Sequence, residues 1–223
     1  MDFEYIQRAF RDINTHYSPL LLESNHLIED KRISWPSYKA GIYGNTIYGT
    51  EYQRLIDTRQ YSYLLFDKSF IQMFYEKNNN VITKAKLAYY PVPLKITNAY
   101  DDILQSAEES GLDILEDLFF GVESWLDKGI DVVNTSHIRL DYDSKVTSHS
   151  KCHLQVGAIN DIRIDSQKLL NPFVFFDWIV SKLNFDEYSG LCTKQKFQAD
   201  KQFHMRKFLE TDIPAESHYF LSN

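Results

Sequence analysis

Three successive segments of this chain alternate polar and apolar residues without a break. In His137-Ile-Arg-Leu-Asp-Tyr-Asp143, the residues His137, Arg139, Asp141 and Asp143 oppose Ile138, Leu140 and Tyr142. In Lys151-Cys-His-Leu-Gln-Val-Gly157, Lys151, His153 and Gln155 oppose Cys152, Leu154 and Val156. In Asp161-Ile-Arg-Ile-Asp165, Asp161, Arg163 and Asp165 oppose Ile162 and Ile164. A period of two belongs to β-strands, whose side chains point to opposite faces in turn. A helix would scatter these charges around its circumference. The segments therefore require a sheet with one face on a core and one charged face.

Antiparallel pairing with a first connection centred near Thr147 puts Asp141 across from His153, Asp143 from Lys151, and Arg139 from Gln155. A second turn centred near Ala158-Ile159 puts His153 opposite Asp165 and Gln155 opposite Arg163. Directly opposed residues have Cβ atoms ~4.5–5.5 Å apart. A one-residue slip would turn a charged set into the core, so even-numbered register shifts are the only cheap alternatives.

Elsewhere the pattern is mixed. Phe3, Ile6, Phe10 and Ile13 follow a helical period over residues 2–15. A second helix is expected from Pro19 to Asp30. Pro36, Gly41, Gly44 and Gly49 suggest loops with short strands over 32–60. Tyr61–Phe66 reads as a strand and Asp67-Lys68 as a turn. Phe70–Lys77 and Val81–Tyr90 flank Asn78-Asn79-Asn80, a hairpin loop because asparagine tolerates positive φ. The second arm puts Ile82, Lys84, Lys86 and Ala88 on one face. Pro91 and Pro93 end its pairing, having no N–H to donate. Leu115, Leu118, Phe119, Val122, Trp125 and Leu126 form a helical stripe within the acidic stretch 101–128. Asn171-Pro172 supplies an N-cap and an N1 proline for a helix burying Phe173, Phe176, Ile179, Val180 and Leu183. Residues 187–223 read as irregular, with a short helix near Asp200–Glu210. No repeat or long linker divides the chain, so one domain over 1–223 is expected. The fold class is α+β: a largely antiparallel sheet from 61–90 and 137–165, packed by helices at 3–15, 113–128 and 172–184.

Composition narrows the function classes. The chain has 223 residues, 43% hydrophobic and 25% charged, an ordinary globular balance. Its longest apolar runs fall far short of the roughly 20 residues of a membrane span, so no membrane partner is expected. The first residues show no signal-peptide pattern, and two cysteines make no disulfide scaffold, which suggests the cytoplasm. The formal net charge is -7, yet residues 101–131 alone hold ten acidic residues against Lys128. A solvated helix face is the ordinary reading of that stretch, and a dock for a basic partner the alternative. Lys194, Lys196, Lys201, Arg206 and Lys207 form only a local basic cluster. Phosphate loops, dinucleotide fingerprints, nucleophile elbows and zinc cysteine pairs are all absent.

The charged face is where chemistry is expected. Carboxylates two apart on a strand suit a hard cation such as Mg²⁺ or Mn²⁺, so Asp141, Asp143 and Asp165 are candidate metal ligands. His153 between carboxylates suits a general base or phosphate contact. Arg139 and Arg163 suit bidentate phosphate recognition. Together they suggest a metal-dependent enzyme acting on a phosphodiester or nucleotide, with nucleic acid or nucleotide as partner. Cross-strand salt pairing on a solvated face explains the same pattern without chemistry. The other class is a non-catalytic subunit that binds a protein partner, or a second copy of itself, through its aromatic strands or acidic helix. Cys152 falls on the apolar side and reads as core. His149 reads as a loop residue, and His16, His26, His204 and His218 have no partners at metal-ligand spacing.

The segments Phe70-Ile-Gln-Met-Phe-Tyr-Glu76, Leu87-Ala-Tyr-Tyr-Pro-Val-Pro93, Ile138-Arg-Leu-Asp-Tyr-Asp143 and His153-Leu-Gln-Val-Gly157 also carry a resemblance. With Tyr61–Asp67 before them and Arg163-Ile164 and Asn171-Pro172-Phe173 after, they resemble a bacterial family of unknown function over about two thirds of the chain. The resemblance implies no activity, and weakly implies a defence or toxin context. A looser one is to archaeo-eukaryotic-type primases, in Ile138–Asp143, Ser150-Lys-Cys-His153 and Ile164-Asp165. It implies metal-binding carboxylates and a nucleotide-contacting His153. The interval from Asp143 to His153 is shorter here, and no glycine precedes the histidine.

Overall fold

The computed structural model describes residues 1–39, 47–96, 130–157, 163–183, 185–211 and 220–221. Helix α1 (Phe3–His16) opens the chain and buries Phe3, Ile6, Ala9, Phe10 and Ile13, the stripe its period requires. Asp2 caps it by accepting from the Tyr5 N–H. No second helix follows. Pro19 sits in a single 3₁₀ turn, and the chain then extends into strands β1 (Leu21–Ser24) and β2 (Leu27–Ile28). Strand β1 pairs with β4 (Tyr63–Leu65), and that ladder outweighs the weak helical pattern of 19–30. Beyond β3 (Arg32–Ser34), a helix stands where loops were expected: α2 (Tyr48–Asp57). It buries Tyr48, Glu51, Tyr52 and Leu55 despite Gly49 in its first turn, so tertiary burial overrides propensity.

Strands β5 (Phe70–Asn78) and β6 (Val81–Tyr90) form the expected hairpin. Its tip is the two-residue turn Asn79-Asn80, with φ of 47° and 63°. Positive φ at both positions matches the right-handed twist of the arms. A bulge corrects one expectation. Glu76 pairs with Lys84 but Lys77 with Ile82, so Thr83 is extra. Ile82 therefore turns into the core with Ala85 and Leu87, away from Lys84 and Lys86.

Strands β7 (Leu94–Ile96) and β8 (Ile130–Val132) pair with each other. Strands β9 (Ile138–Asp143), β10 (Cys152–Val156) and β11 (Arg163–Ser166) continue the main sheet. Short β12 (Lys168–Leu169) leads to α3 (Pro172–Val180), then α4 (Asp186–Cys192), α5 (Gln195–Met205), β13 (Leu209–Glu210) and β14 (Phe220–Leu221). Helix α4 stands where an irregular chain was expected, and α5 is the short helix expected near Asp200–Glu210, beginning and ending five residues earlier. The stripe helix expected at 113–128, with its acid cluster, lies outside the described residues.

The protein is α+β. The sheet order is β1-β4-β5-β6-β9-β10-β11-β14, with β3 also on β5 and β2 on β3. Its pairs are antiparallel except β11 with β14. One face packs on α1 and α3: Leu87, Leu140, Tyr142 and Cys152 meet Phe173, Phe175 and Phe176 in one cluster. Cys152 is core, and burial pushes its thiol up to about 12. The aromatics of β5 and β6 are divided between the two faces: Tyr75 and Tyr89 are buried in this cluster, and Phe70 and Tyr90 on the opposite side. On the opposite face, α2 covers only one end, packing Tyr48, Tyr52 and Leu55 over Phe70, Ala88 and Tyr90.

Candidate functional site

Among the described residues no helix packs on the rest of that second face, and this part is the charged one. Strand β9 pairs with β10 through Asp141 with His153 and Arg139 with Gln155. Strand β10 pairs with β11 through His153 with Asp165 and Gln155 with Arg163. Asp143 meets Lys151 through the Asp143 N–H, which donates to the Lys151 carbonyl at 2.9 Å. This is the register that the alternation and turn centres require.

Strand β6 adds what the sequence left apart. Lys86 lies opposite Asp141, and Lys84 opposite Asp143. The face therefore carries a row Lys86–Asp141–His153–Asp165, beside a row Arg139–Gln155–Arg163. Alternation had placed Lys84 and Lys86 on one face. Nothing in the sequence said that this face adjoins β9.

A pocket of about 200 Å³ opens on these rows. Lys84, Lys86, Arg139, Lys151 and Arg163 line it, against Asp141 and Asp143, together with His149, His153 and Gln155. Five cationic side chains against two carboxylates make it suited to an anion. His149, for which the sequence left both a loop place and a place in the site open, joins it with its ring 5.3 Å from that of His153. Asp165 stands on the same face but outside the pocket lining.

The internal bonds are specific. Arg139 Nε lies 2.7 Å from Asp141 Oδ2, and its Nη2 donates to Gln155 Oε1 at 2.5 Å. Lys84 Nζ lies 3.3 Å from Asp143 Oδ2. Burial alone would raise the Asp143 carboxyl, but the Lys145 backbone N–H and Lys84 together hold it below its usual range. Asp141 Oδ1 and His153 Nδ1 are buried, with no hydrogen-bond partner among the described residues. Leaving such atoms unsatisfied costs ~1–3 kcal/mol each. Burial pulls the His153 imidazole down, helped by Arg163 and His149 and opposed by Asp141. Burial likewise lowers the Lys86 ammonium, against the pull of Asp141.

The stripe on β9 continues under α2. His137 is wholly buried, stacks on Tyr90 at 4.6 Å, and stands 3.7 Å from Glu51 Oε2. Burial, then Arg139, pushes its imidazole down to about 4. Burial pushes Glu51 up to about 7, against a hydrogen bond from Tyr90 and the charge of Arg139. His137 is thus neutral near neutral pH, while Glu51 is divided between its neutral and ionised forms. Glu51 was missed because α2 was missed.

The expected metal set is not assembled as three ligands. Among the described residues, no group of three or more His, Cys, Asp or Glu side chains stands ready to hold a metal ion. Asp141 Oδ1 is buried without a hydrogen-bond partner among the described residues, whereas Asp143 is engaged by Lys84 and the Lys145 N–H. His16 and His204 are structural, bonded to Asp200 and Asp12 respectively.

A protein-family model matches residues 17–219, spanning the sheet, the pocket and α3 to α5. The chain belongs to that family, described as an uncharacterized conserved protein (DUF2290). The match takes in the segments through which the sequence resembles a family of unknown function. Membership assigns no activity, so a functional argument has to come from the site. No curated protein and no solved structure matches the chain. No described helix is long and apolar enough to cross a membrane.

Proposed function

We propose that the pocket binds a phosphate ester, as a nucleotide or phosphodiester, and that His153 and Asp141 carry out acid–base chemistry on it. The observation that carries this reading is the pair of unpartnered buried atoms, Asp141 Oδ1 and His153 Nδ1, inside a pocket lined by five Lys and Arg side chains. Cations hold phosphate oxygens, with Arg139 and Arg163 offering planar forks and Lys86 a point charge. His153, kept neutral by burial, is available to accept a proton near neutral pH. A Mg²⁺ or Mn²⁺ ion would bind through Asp141, and Asp143 if Lys84 releases it. Such ions commonly take one or two carboxylates and complete their shell with substrate phosphates and water. The ion would supply Lewis-acid stabilisation of charge on the phosphoryl group.

A panel of nucleotides and bis-(p-nitrophenyl) phosphate, with and without Mg²⁺ or Mn²⁺, tests the reading. Wild-type protein should bind or turn over members of the panel. Asp141→Asn and His153→Ala should lose turnover while keeping the wild-type circular dichroism spectrum, and Arg163→Lys should lose less. Full turnover in Asp141→Asn, or no binding of any member by wild type, would discard it. A second reading, docking of a protein partner or a second copy of the chain, is favoured by Leu22, Leu27 and Ile28. These side chains are exposed close together in sequence on β1 and β2. Sedimentation of Leu22→Lys against wild type tests that reading.

A further inference from the structure

We infer that the site's substrate class is a single-stranded polynucleotide, whose chain runs from the pocket across the sheet to the β5–β6 hairpin. The inference rests on the phosphate-ester reading and deepens it.

A second, larger pocket of about 570 Å³ lies at that hairpin. Lys31, Arg32, Lys77 and Lys145 line it, with Asp30 and Glu76. The two pockets adjoin. Lys84 of the first is the cross-strand partner of Glu76 of the second. Lys145 of the second is followed directly by Val146 of the first. The Ser144 N–H donates to the Thr83 carbonyl at 2.9 Å and ties the two walls together.

The linings of this track hold nine Lys and Arg side chains against four Asp and Glu. Lys77 reaches it from the other side of the hairpin, where its ammonium lies over the Phe3 ring. Cations gathered along a track that joins two pockets match a polyanion rather than a single phosphate. Part of the charge is already answered, by Asp30 on Lys77 and Asp143 on Lys84. Lys31 and Lys145 form no ion pair among the described residues, so their charge is open to a ligand.

Length points the same way. Arg163 on β11 and Arg32 on β3 are separated by β10, β9, β6 and β5. At about 4.8 Å between neighbouring strands, the track is roughly 24 Å long, more than one nucleotide fills. An aromatic ring stands at its edge. Tyr38 is half-buried and stacks on Phe74 at 4.7 Å, and Phe74 is the cross-strand partner of Lys86. An unpaired base has a free π-face to lay on such a ring, whereas a duplex has buried its faces in its own stack.

The test is fluorescence anisotropy on the full chain with thymidine monophosphate, oligothymidylates of roughly 4–16 nucleotides, and duplexes of matching length. Affinity should climb at least tenfold from the mononucleotide to the longest single strand. It should fall with salt, with a log–log slope near -0.7 for each phosphate engaged. Lys31→Glu should flatten the length dependence and leave mononucleotide binding unchanged. Its side chain lies outside the first pocket. If oligonucleotides bind no tighter than the mononucleotide, the track is refuted while the phosphate site stands. If duplexes bind as well as single strands, the single-stranded class is refuted. If neither the mononucleotide nor any oligonucleotide binds, the phosphate-ester reading falls with it.

Discussion

Asp141 and His153 face each other directly across the β9–β10 ladder, and each keeps one buried polar atom without a hydrogen-bond partner among the described residues. The other side of Asp141 is held by Arg139, whose guanidinium also reaches Gln155. The pair is thus oriented by its neighbours but not satisfied by them. A solvated salt-bridge face would leave no such orphan atoms. A ligand that supplies a donor to Oδ1 and a donor or acceptor to Nδ1 would recover the cost of burying them.

The pocket makes a prediction about His153 alone. Burial lowers its imidazole, and Arg163 and His149 lower it further. The ring should therefore stay neutral at pH values where an ordinary histidine is already charged. Proton NMR should find its titration midpoint below 6.5, the ordinary value. Arg163→Gln should move that midpoint upward, because a nearby positive charge is gone. A wild-type midpoint at or above the ordinary value would contradict the geometry.

Glu51 and His137 predict a stability profile. The folded-state pKa of Glu51, about 7, lies above the ordinary 4.5. Its neutral form favours the fold, so this contribution is full below the ordinary value and lost as pH rises through about 7. His137 acts oppositely: its contribution is present above 6.5 and lost as pH falls through about 4. The Glu51 share amounts to roughly 3 kcal/mol at most. Glu51→Gln, which keeps an acceptor for the Tyr90 hydroxyl, should abolish the loss of Tm between pH 5 and pH 8. An unchanged alkaline slope in this variant would show that Glu51 is ionised in the fold.

The hairpin tip predicts a local backbone effect. Asn79 and Asn80 both adopt positive φ, which costs most side chains ~1–2 kcal/mol per residue. Replacing both with alanine should lower the urea midpoint accordingly. Asn80→Gly should hold or raise it, since glycine takes this conformation without a Cβ penalty. A tolerated double alanine would mean that the turn can change type.

Asn171 predicts a larger loss. Its Oδ1 accepts from the Val174 N–H and caps α3, while its amide donates to the carbonyls of His204 and Lys207. One side chain thus starts α3 and anchors the end of α5. Asn171→Ala should cost about 2–4 kcal/mol, a cap and two buried bonds together. Asn171→Asp keeps the cap acceptor but loses the donors, so it should fall between wild type and alanine. Equal chemical denaturation curves for Asn171→Ala and wild type would contradict these bonds.

Local chemistry determined much of this protein from sequence alone. The alternation of 137–143, 151–157 and 163–165 set strand type, face and register, because a slip of one residue would bury charges. Asn171-Pro172 set the start of α3, and paired asparagines set the β5–β6 turn, since each acts through its own backbone. Tertiary structure decided the rest. Residues 19–30 form strands because β4 offers β1 a ladder, and 48–57 form a helix because Phe70 and Tyr90 offer it an apolar seat. Thr83 bulges, so Ile82 reaches the core by a local irregularity that no period encodes. Above all, the pocket gained Lys84 and Lys86 only when β6 took its place beside β9. Strand order is fixed by packing between segments distant in the chain, and a side-chain pattern specifies faces but not neighbours.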